Sequence, residues 1–357
     1  MSKWKGIAIG DITSEIPVIQ GGMGIGVSLS GLASAVANEG GIGIISGVLT
    51  GFREDDFFSN FREANTRALR KEIKTARSKT KGIIGLNVMV ALSNYEDMVT
   101  AAMEEGIDLI ISGAGLPLEL PKYRPRGSKT KLVPIVSTAR AAKIIISRWQ
   151  QRYNYLPDAF VVEGPQSGGH QGVKFEDINN PEYQIEKTVP EVIELVKQYA
   201  QIKEIPIIAA GGLFTGKDIK KFLELGCGGV QMGSRFIGTH ECDADIKFKE
   251  QFINIKNASD ITVIKSPVGL PLRIINSKYV KEITKNTETP KNCPFKCLVS
   301  CDYTSVPFCI AFALINARKG NVDKGVMCCG SNGYRIDKLY SVKELIGNLK
   351  KEYDEIS

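Results

Sequence analysis

The chain alternates eight short, uninterrupted apolar runs with stretches of helical period, and this restricts its fold more than any other feature. The runs are IPVIQ (16–20), IGIIS (42–46), IIGLNV (83–88), IDLIIS (107–112), LVPIVS (132–137), AFVVEG (159–164), IPIIAAGG (205–212) and GVQMG (229–233). None alternates apolar with polar residues, so each suits a parallel strand covered on both faces. Between them lie segments such as SLSGLASAVANEG, VPEVIELVKQYA and GKDIKKFLELGC, several opening on Ser, Thr or Asn and closing on Gly. Eight strand–helix units are the count of an α/β fold of the (β/α)8 TIM-barrel type.

A doubly wound open sheet would give the same local pattern. However, GGMGIG after the first run does not fit G-x-G-x-x-G, and no acidic residue closes a second strand at the expected distance. Beyond about Asp245 the alternation stops. We therefore expect two parts: a barrel over residues 1–245 and a smaller, mainly helical, Cys-containing cap or lid over 246–357.

With 357 residues, 43% hydrophobic and 24% charged, the chain can bury a full core and is not of disordered composition. MSKWKGIAIG has no apolar core of a secretory signal, and the uncharged stretch Ile16–Asn38 is too rich in Gly and Ser for a membrane helix. A cytoplasmic protein is expected, with no membrane partner. Residues 62–81 carry eight basic and two acidic side chains. At helical spacing this reads as a solvated face, and without interleaved aromatics no nucleic-acid partner is expected.

In a barrel of this kind the residues just after each strand form the active site. These loops are rich in glycine: Gly21-Gly22-Met23-Gly24 after strand one, Gly164 to His170 after strand six, Gly211-Gly212 after strand seven, and Gly233-Ser234 after strand eight. The last two each precede a helix. We expect backbone amides and helix N-termini there to converge on one phosphate, with the Ser234 hydroxyl as a further donor. His170 stands at the barrel mouth as a group able to move a proton near neutral pH. Asn87 and Glu163 end strands three and six as polar groups facing the same mouth, whereas His240, past the last strand, reads as structural.

Taken together, PVIQGGMG, GLNVMV, VVEGPQSGGHQG, PIIAAGGLFTGKDI and GVQMGSRFIGTHE, in this order and spacing, resemble the nitronate monooxygenase family, also called 2-nitropropane dioxygenase-like, which includes flavin-dependent enoyl-ACP reductases. The resemblance implies FMN as cofactor, with NAD(P)H as a reductant if the chain is a reductase. Its contacts carry over onto Gly22, Met23 and Gly24 beside the isoalloxazine, onto Asn87, Glu163, Gly168, Gly211 and Gly212, and onto Gln231, Met232, Gly233 and Ser234 around the phosphate. His170 falls on the catalytic histidine. Gln166-Ser167 stand where the family usually has Glu-Ala or Glu-Ser. The implied substrate is a nitronate, or an enoyl thioester possibly carried on acyl carrier protein, and a homodimer is a further expectation. A barrel that binds flavin or phosphate without catalysis is the remote alternative. The phosphate loops also resemble those of IMP dehydrogenase and GMP reductase, but those enzymes need a nucleophilic Cys after strand six, where this chain has Gly-Gly-His.

Six of the eight cysteines lie between Cys293 and Cys329. Cys293, Cys297 and Cys301 are spaced by four, so on a helix they would share one face, with Cys309 nearby. C-x3-C-x3-C is a weak match to zinc and iron–sulfur motifs, and the expectation is buried free thiols with no metal.

Overall fold

The computed structural model describes residues 4–285 and 289–355. Its centre is a closed, all-parallel barrel of eight strands. These are β1 (Val18–Gln20), β2 (Ile42–Ser46), β3 (Ile83–Met89), β4 (Leu109–Gly113), β5 (Lys131–Val136), β6 (Phe160–Glu163), β7 (Ile207–Ala210) and β8 (Gly229–Met232). Every apolar run of the sequence contributes one strand in chain order, and the ring closes where Gly229–Met232 pairs with Val18–Gln20.

The continuous apolar character of the runs has a direct cause. Alternate residues of each strand face opposite sides, and both sides are covered. Ile19, Ile42, Ile44, Leu109, Ile111, Val133, Val161 and Ile208 fill the barrel interior together with Ile7 and Ile9. Ile7 precedes and Ile9 belongs to a small N-terminal hairpin, Ala8–Ile9 with Ile12–Thr13, which plugs the barrel. Val18, Ile45, Leu86, Ile110, Leu132, Phe160, Val162 and Val230 point outward against the helices.

Those helices are α1 (Ser30–Asn38), α2 (Phe61–Lys79), α3 (Tyr95–Glu104), α4 (Ala139–Tyr153), α5 (Ile185–Lys197) and α6 (Gly216–Glu224). The basic stretch forms α2, and its cations are paired on the surface: Arg62 with Asp97, Arg67 with Glu54, Arg70 with Glu105 and Arg77 with Asp108. After β8 come α7 (Ser234–Ile237), α8 (Ile246–Asn254), α9 (Lys278–Ile283), α10 (Ile310–Arg318) and α11 (Val342–Asp354). Among the described residues no helix is long and apolar enough to cross a membrane.

Two features of residues 246–357 bear on the site. An antiparallel hairpin, Ile261–Lys265 with Pro271–Ile275, adds Gly169–His170 as a third strand, with His170 opposite Leu272. The last helix, α11, returns to the barrel wall: its backbone meets Gly216 at the start of α6, and the Glu352 carboxylate accepts from the Gly216 amide at 2.7 Å. Residues 293–301 form an irregular loop, not a helix. Pro294 disfavours the helical conformation at Cys293, and Lys296 takes a left-handed φ of 44°.

Candidate active site

A cavity of about 910 Å³ opens at the carboxyl ends of the strands, within the range of roughly 300–1,000 Å³ usual for small-molecule sites. Its wall contains all thirteen residues singled out from the sequence: Gly22, Met23, Gly24, Asn87, Glu163, Gly168, His170, Gly211, Gly212, Gln231, Met232, Gly233 and Ser234. They come from five strand ends that lie far apart in sequence. His240 is exposed and away from the cavity.

The turns after β7 and β8 present unpaired donors. Gly211 and Gly212 hold φ of 100° and 84°, conformations that favour glycine. The backbone amides of Gly212, Gly233 and Ser234 have no hydrogen-bond partner among the described residues. A row of lining amides without protein acceptors is a site for an anion. The Ser234 hydroxyl accepts from the Gly330 amide at 2.8 Å, so its own proton remains available to a ligand.

One expectation needs correction here. The N-terminus of α6 is not open to a phosphate, because its amides are already capped. The Asp218 carboxylate accepts from the amides of Phe214 (2.9 Å) and Thr215 (2.8 Å), and the Thr215 hydroxyl accepts from the Asp218 amide. With Glu352 on Gly216, Lys217 alone keeps a first-turn amide without a partner among the described residues, and it lies between two carboxylates. α7, of four residues, adds no helix N-terminus of consequence. The free donors lie on the glycine turns themselves.

Sequence reasoning missed the segment that joins the two turns. Gly330 bonds Ser234, the Asn332 side-chain amide donates to the Gly212 carbonyl at 2.6 Å, and the Ser331 amide donates to the Gln166 carbonyl at 3.0 Å. Gly330, Asn332 and Gly333 line the cavity. The turn signal GSNG at 330–333 was visible, but nothing local said where it docks.

His170 is placed by residues nearly a hundred positions away. Its Nε2 lies 2.8 Å from the Ser266 hydroxyl. Ser266 is buried in the turn of the C-terminal hairpin and accepts from the Val268 amide at 3.1 Å. Among the described residues Nδ1 has no partner. Burial without a compensating anion pushes the imidazole pKa down to about 4, so the ring is neutral at pH 7. Glu163 also has no partner, and burial raises its carboxyl to about 7. Gln231 Oε1 is a buried acceptor without a donor. Asn87 makes only a long contact, 3.5 Å, to the Ile111 carbonyl. Lys174 and Lys265 stand exposed at the cavity rim.

A sequence profile of the nitronate monooxygenase family matches residues 7–352. The chain belongs to the nitronate monooxygenase family. It therefore joins a family of oxidoreductases, on a fold the coordinates show independently. Within it, the chain is 28% identical over 309 residues to a probable nitronate monooxygenase of Staphylococcus aureus strain Newman, covering 77% of this chain and 79% of the relative. Among solved structures it is similar to FabK from Thermotoga maritima, with a TM-score of 0.73 and 26% identity over 96% of this chain and 94% of that one. A nitroalkane oxidase from Streptomyces ansochromogenes superposes with the same TM-score of 0.73 over 96% of each chain; at 20% identity it shares the fold.

Proposed function

We propose that the cavity binds FMN and that this member of the nitronate monooxygenase family oxidises alkyl nitronates with dioxygen. The observation that carries the reading is the meeting, in one cavity, of the unpaired amides of Gly212, Gly233 and Ser234 with a neutral imidazole at residue 170. The donor set fits the cofactor. Three amides and the Ser234 hydroxyl suit a phosphate, and the orphaned Gln231 Oε1 and unpaired Glu163 suit N–H and hydroxyl donors of a flavin. Gly22, Met23, Gly24 and Asn87 would hold the ring system. When bound, FMN supplies the electron-transfer chemistry and the reaction with oxygen.

The chain's own part is binding, orientation and proton handling. Lys174 and Lys265 at the rim attract an anionic substrate. Neutral His170 offers two modes, set by the Ser266 hydroxyl. If Nε2–H donates to Ser266, Nδ1 is a free base that can take the α-proton of a nitroalkane. If Ser266 donates to Nε2, Nδ1–H can hydrogen-bond a nitronate oxygen. The valine amide on Ser266 leaves the hydroxyl free for either role.

The test is oxygen uptake by the FMN-loaded protein on nitroethane nitronate, without NADH or NADPH. Uptake with release of nitrite supports the reading, and its absence over a series of nitronates refutes it. His170→Ala should keep the flavin and lose turnover. A second reading, NAD(P)H-dependent reduction of an enoyl thioester, draws on the enoyl reductases among the proteins the motifs resemble. It requires anaerobic reduction of the bound flavin by NADH or NADPH and its reoxidation by crotonyl thioester.

A further inference from the structure

We propose that Cys293, Cys297, Cys301 and Cys309 form a four-thiolate site for an iron–sulfur cluster, apart from the flavin cavity. The four are free thiols, in a C-x3-C-x3-C-x7-C pattern. The fold turns this spacing into a cluster by breaking the helix it would otherwise favour. Lys296 takes its left-handed φ of 44° between Cys293 and Cys297, and its amide donates to Cys293 Sγ at 3.4 Å. Cys309 sits at the N-cap of α10, beside the first-turn amides of Ala311 and Phe312. Amides directed at sulfur stabilise a thiolate ligand more than a thiol. Cys329, in the same part of the chain, behaves oppositely and donates its S–H to the Gly330 carbonyl.

The four sulfurs also act on one another. Cys297 lies within electrostatic reach of Cys293, Cys301 and Cys309, Cys301 of Cys293 and Cys309, and Cys309 of Cys293, so all four are neighbours in space. Four free, unbridged thiols gathered at one place in the fold are the juxtaposition on which the assignment stands.

The choice of group follows from reach. A tetrahedral zinc at about 2.3 Å from each sulfur needs the sulfurs about 3.8 Å apart. Among the described residues no three His, Cys, Asp or Glu side chains converge closely enough for one ion. A polynuclear cluster held by four cysteine thiolates spans a wider separation and does not need that convergence. One side of the loop is apolar. Phe295, inside the Cys loop, packs on Phe312 at 4.9 Å, Phe57 at 5.1 Å and Phe58 at 5.5 Å. The loop is pinned to the barrel after β3 by the Ser93 amide on the Cys297 carbonyl, 3.0 Å, and by the Leu92–Leu298 bridge. α10 runs from Cys309 to Leu314 in the cavity wall, about 7.5 Å of helix rise. Transfer of a preformed cluster of two ferric and two ferrous irons from a thiolate carrier breaks the carrier's four Fe–S bonds and forms four here, the four S–H protons passing to the released carrier thiolates with no change of oxidation state.

The experiment is iron, zinc and acid-labile sulfide analysis of the full chain, purified without oxygen and again after reconstitution with equal ferrous and ferric iron and sulfide, with low-temperature EPR after dithionite. About four iron and four sulfide per chain are expected for a cubane cluster of four irons and four sulfides, with an EPR signal absent before reduction. Cys297→Ser and Cys301→Ser should each lose more than about 80% of the iron, and Cys227→Ala, just before β8, should keep it. If Cys297→Ser fails to fold, the part-exposed Cys293→Ser replaces it. Stoichiometric zinc without sulfide, iron below about 0.3 per chain after reconstitution, or unchanged iron in the serine variants would each overturn the assignment.

Discussion

Glu163→Gln should stabilise the cofactor-free protein, and only above acidic pH. The Glu163 carboxyl ends β6 in the cavity with no donor near it, and burial raises its pKa from 4.5 to about 7. The folded state therefore holds a proton that the unfolded chain releases near 4.5. Between these values the folded state binds more protons, so stability falls as pH rises. At 1.36 kcal/mol per pH unit the ceiling is about 3.4 kcal/mol. Because the carboxyl faces a cavity that water can enter, we take about 1–3 kcal/mol. Glutamine keeps the shape and cannot ionise. The variant should match wild type near pH 4.5 and melt about 2–6 °C higher at pH 8, at roughly 2 °C per kcal/mol for a chain of this size. The assay is thermal unfolding of both apoproteins by circular dichroism across pH 4.5–8.5. An equal Tm difference at both ends, or wild type the more stable at pH 8, would show that the carboxylate is not buried unpaired.

Three further outcomes follow from the site. Ser266→Ala removes the only partner that His170 Nε2 has among the described residues; we expect unchanged FMN loading and kcat lower by about tenfold or more, measured by oxygen uptake. Because the His170 pKa lies near 4, neutral imidazole persists down to about pH 5; the His170-dependent part of kcat should be flat from pH 6 to 8 and fall only on acidification through 4, read from a pH–rate profile of the Glu163→Gln variant, whose other cavity titration is gone. Gly22→Ala would put a Cβ 2.2 Å from Asn87 Cβ. That overlap should displace strand ends β1 and β3, costing about 1–3 kcal/mol and most of the FMN affinity, as followed by melting and flavin fluorescence.

How much of this was legible in the sequence depends on the range of each interaction. The barrel was legible because a strand covered on both faces must be apolar throughout, and Ile42–Ser46 stands in the structure as the run IGIIS predicts. The glycine turns were legible because position after a strand fixes which end of the barrel they reach. Contacts that close over long sequence distances were not. Ser266 on His170 and Gly330 on Ser234 each span 96 residues, and neither side chain carries a local mark of its partner. The α6 N-terminus is a different case. Thr215 and Asp218 are a capping pair at the spacing of a capping box, and that signal already meant that the helix would satisfy its own amides. The cysteine loop shows local geometry prevailing over period: one Pro and one left-handed Lys end the helix that a four-residue spacing favours.

The most direct test of the central claim is the affinity of the apoprotein for FMN set against riboflavin, by quenching of flavin fluorescence. The two ligands differ only in the phosphate that the Gly212, Gly233 and Ser234 donors are assigned to hold. Two charge-assisted hydrogen bonds should favour FMN by at least about 100-fold in Kd, or about 2.7 kcal/mol, and Ser234→Ala should narrow the gap about two- to tenfold. Equal affinity for the two flavins, or no binding of either, would contradict the account.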